Sequence, residues 1–405
     1  MSTSAQVLTA VALAERDRNG DTIVAWSYPS TDAAFDAHVR KRCAVEMEKD
    51  AASLAEALGS EEVGAVGSLC WTRCQGLWVY MLPFAVGGCN TALRQVSAFT
   101  VALSSKEFDP EKHGAICAEL AKAYAQGGTP LKVLEGYLSI MTLGSFGSFA
   151  ETQFVSGDAK QAAAPVGWLV EAFGVEVVLL WTAMLLKKRV VVYSTKVTEL
   201  QGLLRVLPAL VAHRDSWNLL RPYCIDEDDL SELQGVYCAG VTQPLDSRQD
   251  MWDLYIDLPA TTVTVAEDAR KDFAMTSVHK DVAGALLAAH ADGAGVNSDI
   301  LDAVAAKTRD VVAKLEMLAE AEAGGSLTTA ALQAQLTNTH LATFLFNVAL
   351  TERLADSGET REQVEEGGEG GGEEAGDESE VAVASLEETM ECPAAVDERT
   401  GTEED

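Results

Sequence analysis

The sequence predicts an α/β protein of two lobes followed by a disordered acidic tail, and three observations carry that expectation. Strand-like and helix-like periods alternate in the order ββαβββαα over the first 145 residues. A continuous apolar run, "RVVVYS" at 189–194, follows one apolar helical stretch and precedes another, as a strand buried on both faces does. The chain of 405 residues has 30 Lys plus Arg against 62 Asp plus Glu, a net charge of −32, and 18 of the acidic residues fall after Gly358 with only Arg361 and Arg399 opposing them. Residues 359–405 thus carry 2 − 18 = −16, half the total.

In chain order, Val7–Glu15 and Thr22–Tyr28 are β-rich and are separated by "RDRNGD", whose Asn19-Gly20 pair signals a tight turn, so they form a hairpin. Thr31–Leu58 reads as one helix capped by Ser30 or Thr31 and stopped near Gly59. Strands are expected at Val66–Cys74, Leu77–Phe84 and Val96–Leu103. Asp109-Pro110 opens a helix through Tyr124, and Pro130 opens another through Met141, with Pro at the favoured first position. A five-stranded antiparallel sheet in this order is the arrangement of the longin-like fold. Residues 144–164 are small and polar and read as a linker or mobile loop.

The second lobe begins with a helix at Val170–Leu186 and the strand at Arg189–Ser194, which is expected to be central and parallel. A crossover helix follows at Val197–Ala212. Shorter strands are expected at Val236–Val241 and Leu254–Leu258, with Thr261–Val265 extended, and three helices over about 274–290, 299–322 and 328–355. The resulting division is a longin-like lobe at 1–145, a linker at 146–164, a second lobe at 165–355 and the tail at 356–405. Val166–Leu186 has the length and apolarity of a membrane span, but Glu171 and Glu176 are costly in hydrocarbon and Gly167 and Gly174 weaken such a helix, so it is assigned to the core. The N-terminus has neither the basic start nor the cleavage site of a secretory signal.

The tail has too little apolar surface to offset the entropy of ordering. It either binds a basic partner surface or serves solubility. The overall acidity disfavours nucleic acid through repulsion from phosphate. Eight cysteines are scattered without a CxxC or a zinc-type spacing, so reduced core thiols and a reducing cytoplasm are expected.

The catalytic motifs sought are missing. His213-Arg214-Asp215 resembles the kinase catalytic loop, but Leu220 stands where an Asn holds the metal, and the sequence has no D-F-G, GxxxxGK[ST], GxSxG or HExxH. The six histidines show no ligand spacing. No catalytic residue, metal or cofactor is therefore expected, and function is assigned to surfaces.

Residues 175–258 resemble the central region of DENN domains. The resemblance rests on "LLWTAMLLKKRVVVYS" from Leu179, a helix with Leu203, Leu204 and Leu207, "HRDSWNLLRPY" from His213, "GVYCAGV" from Gly235 and "LYIDL" from Leu254. "ERDRNGDTIVAWSYPS" from Glu15, "KEFDPEK" from Lys106, "GTPLKVLEGYLSIMT" from Gly128 and "LPALVAHRDSW" from Leu207 extend it over roughly residues 7–355. Ala51–Ala65 is long for the loop before the third strand, and the tail departs from the family pattern. The resemblance implies a longin-like lobe, a DENN α/β lobe with C-terminal helices, and regulation of a Rab-family small GTPase by guanine nucleotide exchange without a cofactor. It further implies a cytoplasmic protein, peripheral on late endosomes through protein partners, in endosomal vesicle trafficking. A second reading within the same family is a non-catalytic adaptor of a Commander-type endosomal recycling assembly. A third, a metabolic enzyme on an open α/β sheet, lacks the glycine-rich turn after its strand. The GTPase-contact candidates are Arg214 and Asp215, with Trp217 beside them as a contact or as a core aromatic locking its loop.

Overall fold

The computed structural model of the chain describes residues 7–57, 63–65, 67–87, 90, 92–154, 166–292, 297–322, 326–336 and 338–355. The described residues all fall in one compact unit of the chain. The tail assigned to disorder and Cys89 lie outside the described residues.

The N-terminal sheet is antiparallel. Its strands are β1 (Leu8–Asp17), β2 (Thr22–Tyr28), β3 (Val63–Ala65), β4 (Cys70–Cys74), β5 (Leu77–Val86) and β6 (Val96–Ser105), in the order β2-β1-β6-β5. β3 and β4 lie end to end along the free edge of β5, so the sheet has five positions, one filled by two short strands. The sequence reading placed one strand at Val66–Cys74; β4 begins only at Cys70, and β3 lies before the expected start. The first helix, α1 (Ala33–Ala57), is capped not by Ser30 or Thr31 but by Asp32, whose Oδ1 accepts the Phe35 N–H at 2.8 Å.

Period-two alternation gives this sheet two different faces. Ala12, Ala14, Ala98 and Ala102 are small and admit α1 closely through Phe35, Val39 and Cys43. Val11, Leu13, Phe99, Val101 and Leu103 face the other way and pack under α2 (Pro110–Gly127) through Ile116, Leu120 and Tyr124. Asp109 caps α2 as expected, accepting the Lys112 N–H at 3.0 Å. In α3 (Pro130–Leu143), Gly136 is required by close approach, because a Cβ there would stand 2.6 Å from Phe146 and 2.7 Å from Leu120.

The described part of the segment read as a linker, through Phe154, is ordered. Ser145–Phe146 (β7) and Phe149–Ala150 (β8) form a small hairpin, with a 3-10 turn at Glu151–Phe154. Its small polar residues are held from beneath: Glu119 accepts from the Ser148 N–H at 3.1 Å and from its hydroxyl at 2.7 Å, and Glu151 pairs with the buried Lys112 at 2.9 Å.

In the second lobe, β9 (Val190–Tyr193) is central and parallel to both neighbours in the order β10-β11-β9-β12-β13. The other strands are β10 (Leu220–Cys224), β11 (Cys238–Val241), β12 (Leu254–Asp257) and β13 (Thr262–Val265). β10 escaped the sequence reading because Pro222 argues against a strand; as an edge strand it tolerates the missing donor. The apolar stretch from Val166 is two helices, α4 (Val166–Phe173) and α5 (Val177–Leu185), parted by a 3-10 turn with Gly174 at φ 52°. Most of its apolar side chains are buried in the core, including Trp181, whose indole N–H reaches Thr308 Oγ1 at 2.9 Å. The crossover helix α6 (Val197–Val206) continues as a 3-10 turn to Val211. α7 (Glu227–Ser231) follows β10, and α8 (Ser277–Asp292), α9 (Asn297–Ala321), α10 (Thr329–Gln335) and α11 (Thr339–Thr351) complete the lobe, so the expected last helix is two. The six described cysteines, 43, 70, 74, 117, 224 and 238, are buried thiols.

Candidate functional site

Two sheets that meet along an edge leave a seam, and this seam is where the chain gathers a cluster of aromatic rings and arginines. The Gln75-Gly76 turn, with φ of 50° and 81°, is the tight two-residue kind that fixes register, setting Cys74 opposite Leu77 and Arg73 opposite Trp78. The Arg73 guanidinium lies over the Trp78 ring, 4.6 Å from its centroid, and donates to the Gly76 carbonyl at 2.7 Å. Burial lowers the Arg73 pKa, and the neighbouring Arg221 charge lowers it further, so two cations stand near each other in an acidic protein. Among the described residues neither forms a carboxylate ion pair. Arg221 donates only to the Asn218 and Leu220 carbonyls, at 2.9 and 2.8 Å.

Trp78 continues into a cluster that crosses the seam. Phe108 lies 4.6 Å from Trp78, 4.8 Å from Trp71 and 4.8 Å from Trp217 of the second lobe, centroid to centroid. From α6, Arg205 covers Phe108 at 5.5 Å and makes a two-pronged pair with Glu111 of α2 at 2.6 and 3.2 Å. Beside Arg205, Gln201 donates to the Trp71 carbonyl at 2.7 Å and ties α6 to β4. A cleft of about 370 Å³ opens here, lined by Leu69, Trp71, Pro110, Glu111, Gly202 and Arg205 among others. A Cβ on Gly202 would meet nothing within 4 Å. Packing therefore does not require this mid-helix glycine, which costs roughly 1 kcal/mol relative to Ala.

The other half of the seam is polar and closed. Arg42 of α1 is buried and donates to the Tyr223 carbonyl of β10 at 3.3 and 3.1 Å and to Asp229 at 3.2 Å. Lys41 reaches Asp226 and Asp229, both at 2.9 Å. Burial raises the Asp229 pKa, but the Lys41 hydrogen bond, the Ile225 N–H and the Arg42 charge outweigh it and hold the carboxyl below its ordinary range. His38, 3.0 Å from Arg42, is pushed down to about 3 by burial first and by the Arg42 charge second.

Of the three residues singled out from sequence, the structure gathers two at the seam. Trp217 joins the aromatic cluster, and Asp215 accepts the Trp217 N–H at 3.2 Å while its charge acts on Arg73. Arg214 points elsewhere: its guanidinium pairs with Glu352 after α11 and donates to the Met184 and Leu185 carbonyls at the end of α5, at 2.5 and 2.9 Å. It closes a helix end inside the lobe. Sequence reasoning missed Trp71, Arg73, Phe108 and Arg205. One signal was readable, since "RCQGLW" places an arginine opposite a tryptophan across a two-residue turn. Among the described residues no group of three or more His, Cys, Asp or Glu is placed to hold a metal ion.

Comparison with known proteins identifies relatives along most of the chain. A family model described as stabilization of polarity axis matches residues 164–267, the stretch that contains the second sheet. DENN domain-containing protein 10 of Dictyostelium discoideum is 30% identical over 382 residues, covering 87% of this chain and all of that protein. The Homo sapiens protein of the same name is 30% identical over 360 residues, covering 86% of this chain and 97% of that protein. The Danio rerio protein is 29% identical over 357 residues, covering 86% and 98%.

Proposed function

The chain belongs to the DENN domain-containing protein 10 family, and from that membership we propose that it is a Rab-type GTPase regulator that holds its partner at the seam and acts as a guanine nucleotide exchange factor in late-endosomal trafficking. The observation that carries the reading is the seam itself, where the half-buried Arg73 and Trp217 pack on the buried Trp78 and Phe108 beside an open cleft. Tryptophan and arginine are the residue types most enriched where binding energy concentrates.

An exchanger needs no covalent chemistry. It binds the nucleotide-free GTPase more tightly than the loaded one, and a thousandfold faster release requires the barrier to nucleotide release to fall by about 4 kcal/mol. Arg73 and Arg221, near each other and with Asp215 the nearby carboxylate that acts on Arg73, suit an acidic side chain of the partner, which a chain of net charge −32 repels elsewhere. The same acidity disfavours direct adhesion to anionic lipid, so recruitment to the endosome runs through protein partners.

Affinity for each member of a Rab panel, measured for nucleotide-free and GDP-loaded forms, tests the proposal. At least one member is expected to prefer this protein by about a hundredfold when nucleotide-free. Equal affinity for both forms would identify the adaptor of a Commander-type assembly instead, because a partner that binds two states equally shifts neither.

A further inference from the structure

Four sulfur side chains gather on the sheet face under α1: Cys43 of the helix, Cys70 and Cys74 of β4, and Met81 of β5. Cys43, Cys70 and Met81 are at most 3% exposed. The Cys43 thiol lies 3.8 Å from the Met81 thioether. Register sets Cys70 directly opposite Met81, which brings their Cβ atoms to about 5 Å. These three side chains line one cavity with Arg42, Pro83 and Thr100, and the cavity is too small for a water molecule. Thr100 is 1% exposed, and its hydroxyl has no hydrogen-bond partner among the described residues. A buried hydroxyl is costly to leave without an acceptor, and a thiol or thioether sulfur accepts only weakly. A thiolate accepts well. The cavity thus joins a cation, an orphan donor and three sulfurs.

We propose that Cys43, Cys70 and Met81 bind a single Cu(I) ion in this cavity. The donor set selects the metal, because two thiolates and a thioether are soft ligands, whereas structural zinc takes four Cys or His. Metal–sulfur bonds of about 2.3 Å hold three coplanar ligands about 4 Å apart, close to the 3.8 Å between Cys43 and Met81. On binding, the S–H bond of each cysteine is replaced by an S–Cu bond; copper stays Cu(I), and two protons pass to solvent. The ion and its two thiolates together carry one negative charge, which the buried Arg42 guanidinium at the cavity wall offsets. Thr100 then has its acceptor, and Gln201 of α6 already donates to the Cys70 sulfur at 3.6 Å; both are the kind of outer contact that orients a metal ligand. Cys74, on the same face of β4, is 9% exposed and offers an entering ion its first thiol. Because the donors come from three separate elements, no spacing in the sequence announces them.

Anaerobic titration of the reduced full chain with Cu(I), in competition with the chelator bicinchoninate, decides the matter. One equivalent is expected to bind, with thiolate-to-copper charge-transfer absorption in the ultraviolet and the luminescence of a Cu(I) thiolate shielded from water. Its apparent affinity should rise about a hundredfold per pH unit below the thiol range, as the release of two protons requires. C43S/C70S should weaken this equivalent by about a hundredfold or more, and Met81→Leu and Thr100→Val by about tenfold each. Circular dichroism shows that each variant is folded, and if C43S/C70S is not, the two single variants carry the test. Cys89 and Cys392, outside the described residues, should be replaceable by serine without effect. Binding no tighter than that of C43S/C70S, affinity indifferent to pH or to both single variants, or an equivalent lost on replacing Cys89 and Cys392 would each overturn the proposal.

Discussion

The two halves of the seam each hold arginines from the first sheet's side against the second lobe, and they use them in opposite ways. Arg42 is buried, with a carbonyl, a carboxylate and a histidine nitrogen around its guanidinium. Arg73 lies on an indole face, bonded to one carbonyl of its own turn, with a second arginine nearby. The first arrangement fastens the lobes, because every group in it loses a partner if one is removed. The second leaves the half-buried Arg73 guanidinium without a carboxylate ion pair among the described residues and able to donate to another molecule. Fastening and binding are thus separable along one line of contact, and substitutions should sort accordingly.

The largest expected loss of stability is at the closed half. Arg42→Ala takes the guanidinium from the Tyr223 carbonyl and from Asp229, which keeps Lys41 and the Ile225 N–H, and should cost about 3 kcal/mol in urea unfolding; an effect within error of zero would mean that this half fastens nothing. Phe108→Ala should follow at about 3 kcal/mol, since the ring is buried beneath three tryptophans.

Acid should weaken both lobes together. His113 of α2 stacks on Tyr80 at 4.4 Å, and His279 of α8 sits 4.4 Å from Phe344; both are fully buried, with Nε2 lacking a hydrogen-bond partner. Burial pushes each down to about 4 from 6.5, opposed at His113 by its bond to the Asp109 carbonyl. A histidine with a lowered folded pKa gives its full stabilisation above its unfolded pKa and loses it as pH falls toward the folded one. Stability should therefore decline by about 1.4 kcal/mol per pH unit for each ring between pH 6.5 and 4. Replacing either ring by Gln should flatten the profile measured by chemical unfolding.

At the open half, Arg73→Gln should change stability by no more than about 0.5 kcal/mol while weakening a bound GTPase about tenfold. A loss of stability comparable to that of Arg42→Ala would merge the two halves into one. Removing residues 358–405 should leave the melting temperature unchanged, which calorimetry would establish.

Much of this architecture is written locally. Asn19-Gly20, Asp109-Pro110 and Pro130 each carry a turn or cap whose chemistry fixes an element boundary, and "RVVVYS" could only be a strand buried on both faces. What escaped depended on neighbours distant in sequence. Pro222 is tolerable only because β10 is an edge, and the polar run after Gly144 is ordered only because Glu119 and Lys112 lie beneath it. The site was less legible than the fold. Trp217 is conspicuous as a large residue in a polar loop, but Phe108 acquires meaning only where the two lobes bring it against Trp217. Arg214 misled for the same reason, because nothing near it in sequence announces Glu352.

Release of a fluorescent GDP analogue from each member of a purified Rab panel, on addition of the full chain, tests the central proposal most directly. At least one GTPase should lose nucleotide about a thousandfold faster than alone, and Arg73→Gln with Trp217→Ala should abolish most of that gain while the protein stays folded. Intrinsic release rates across the whole panel, or acceleration untouched by those substitutions, would contradict it.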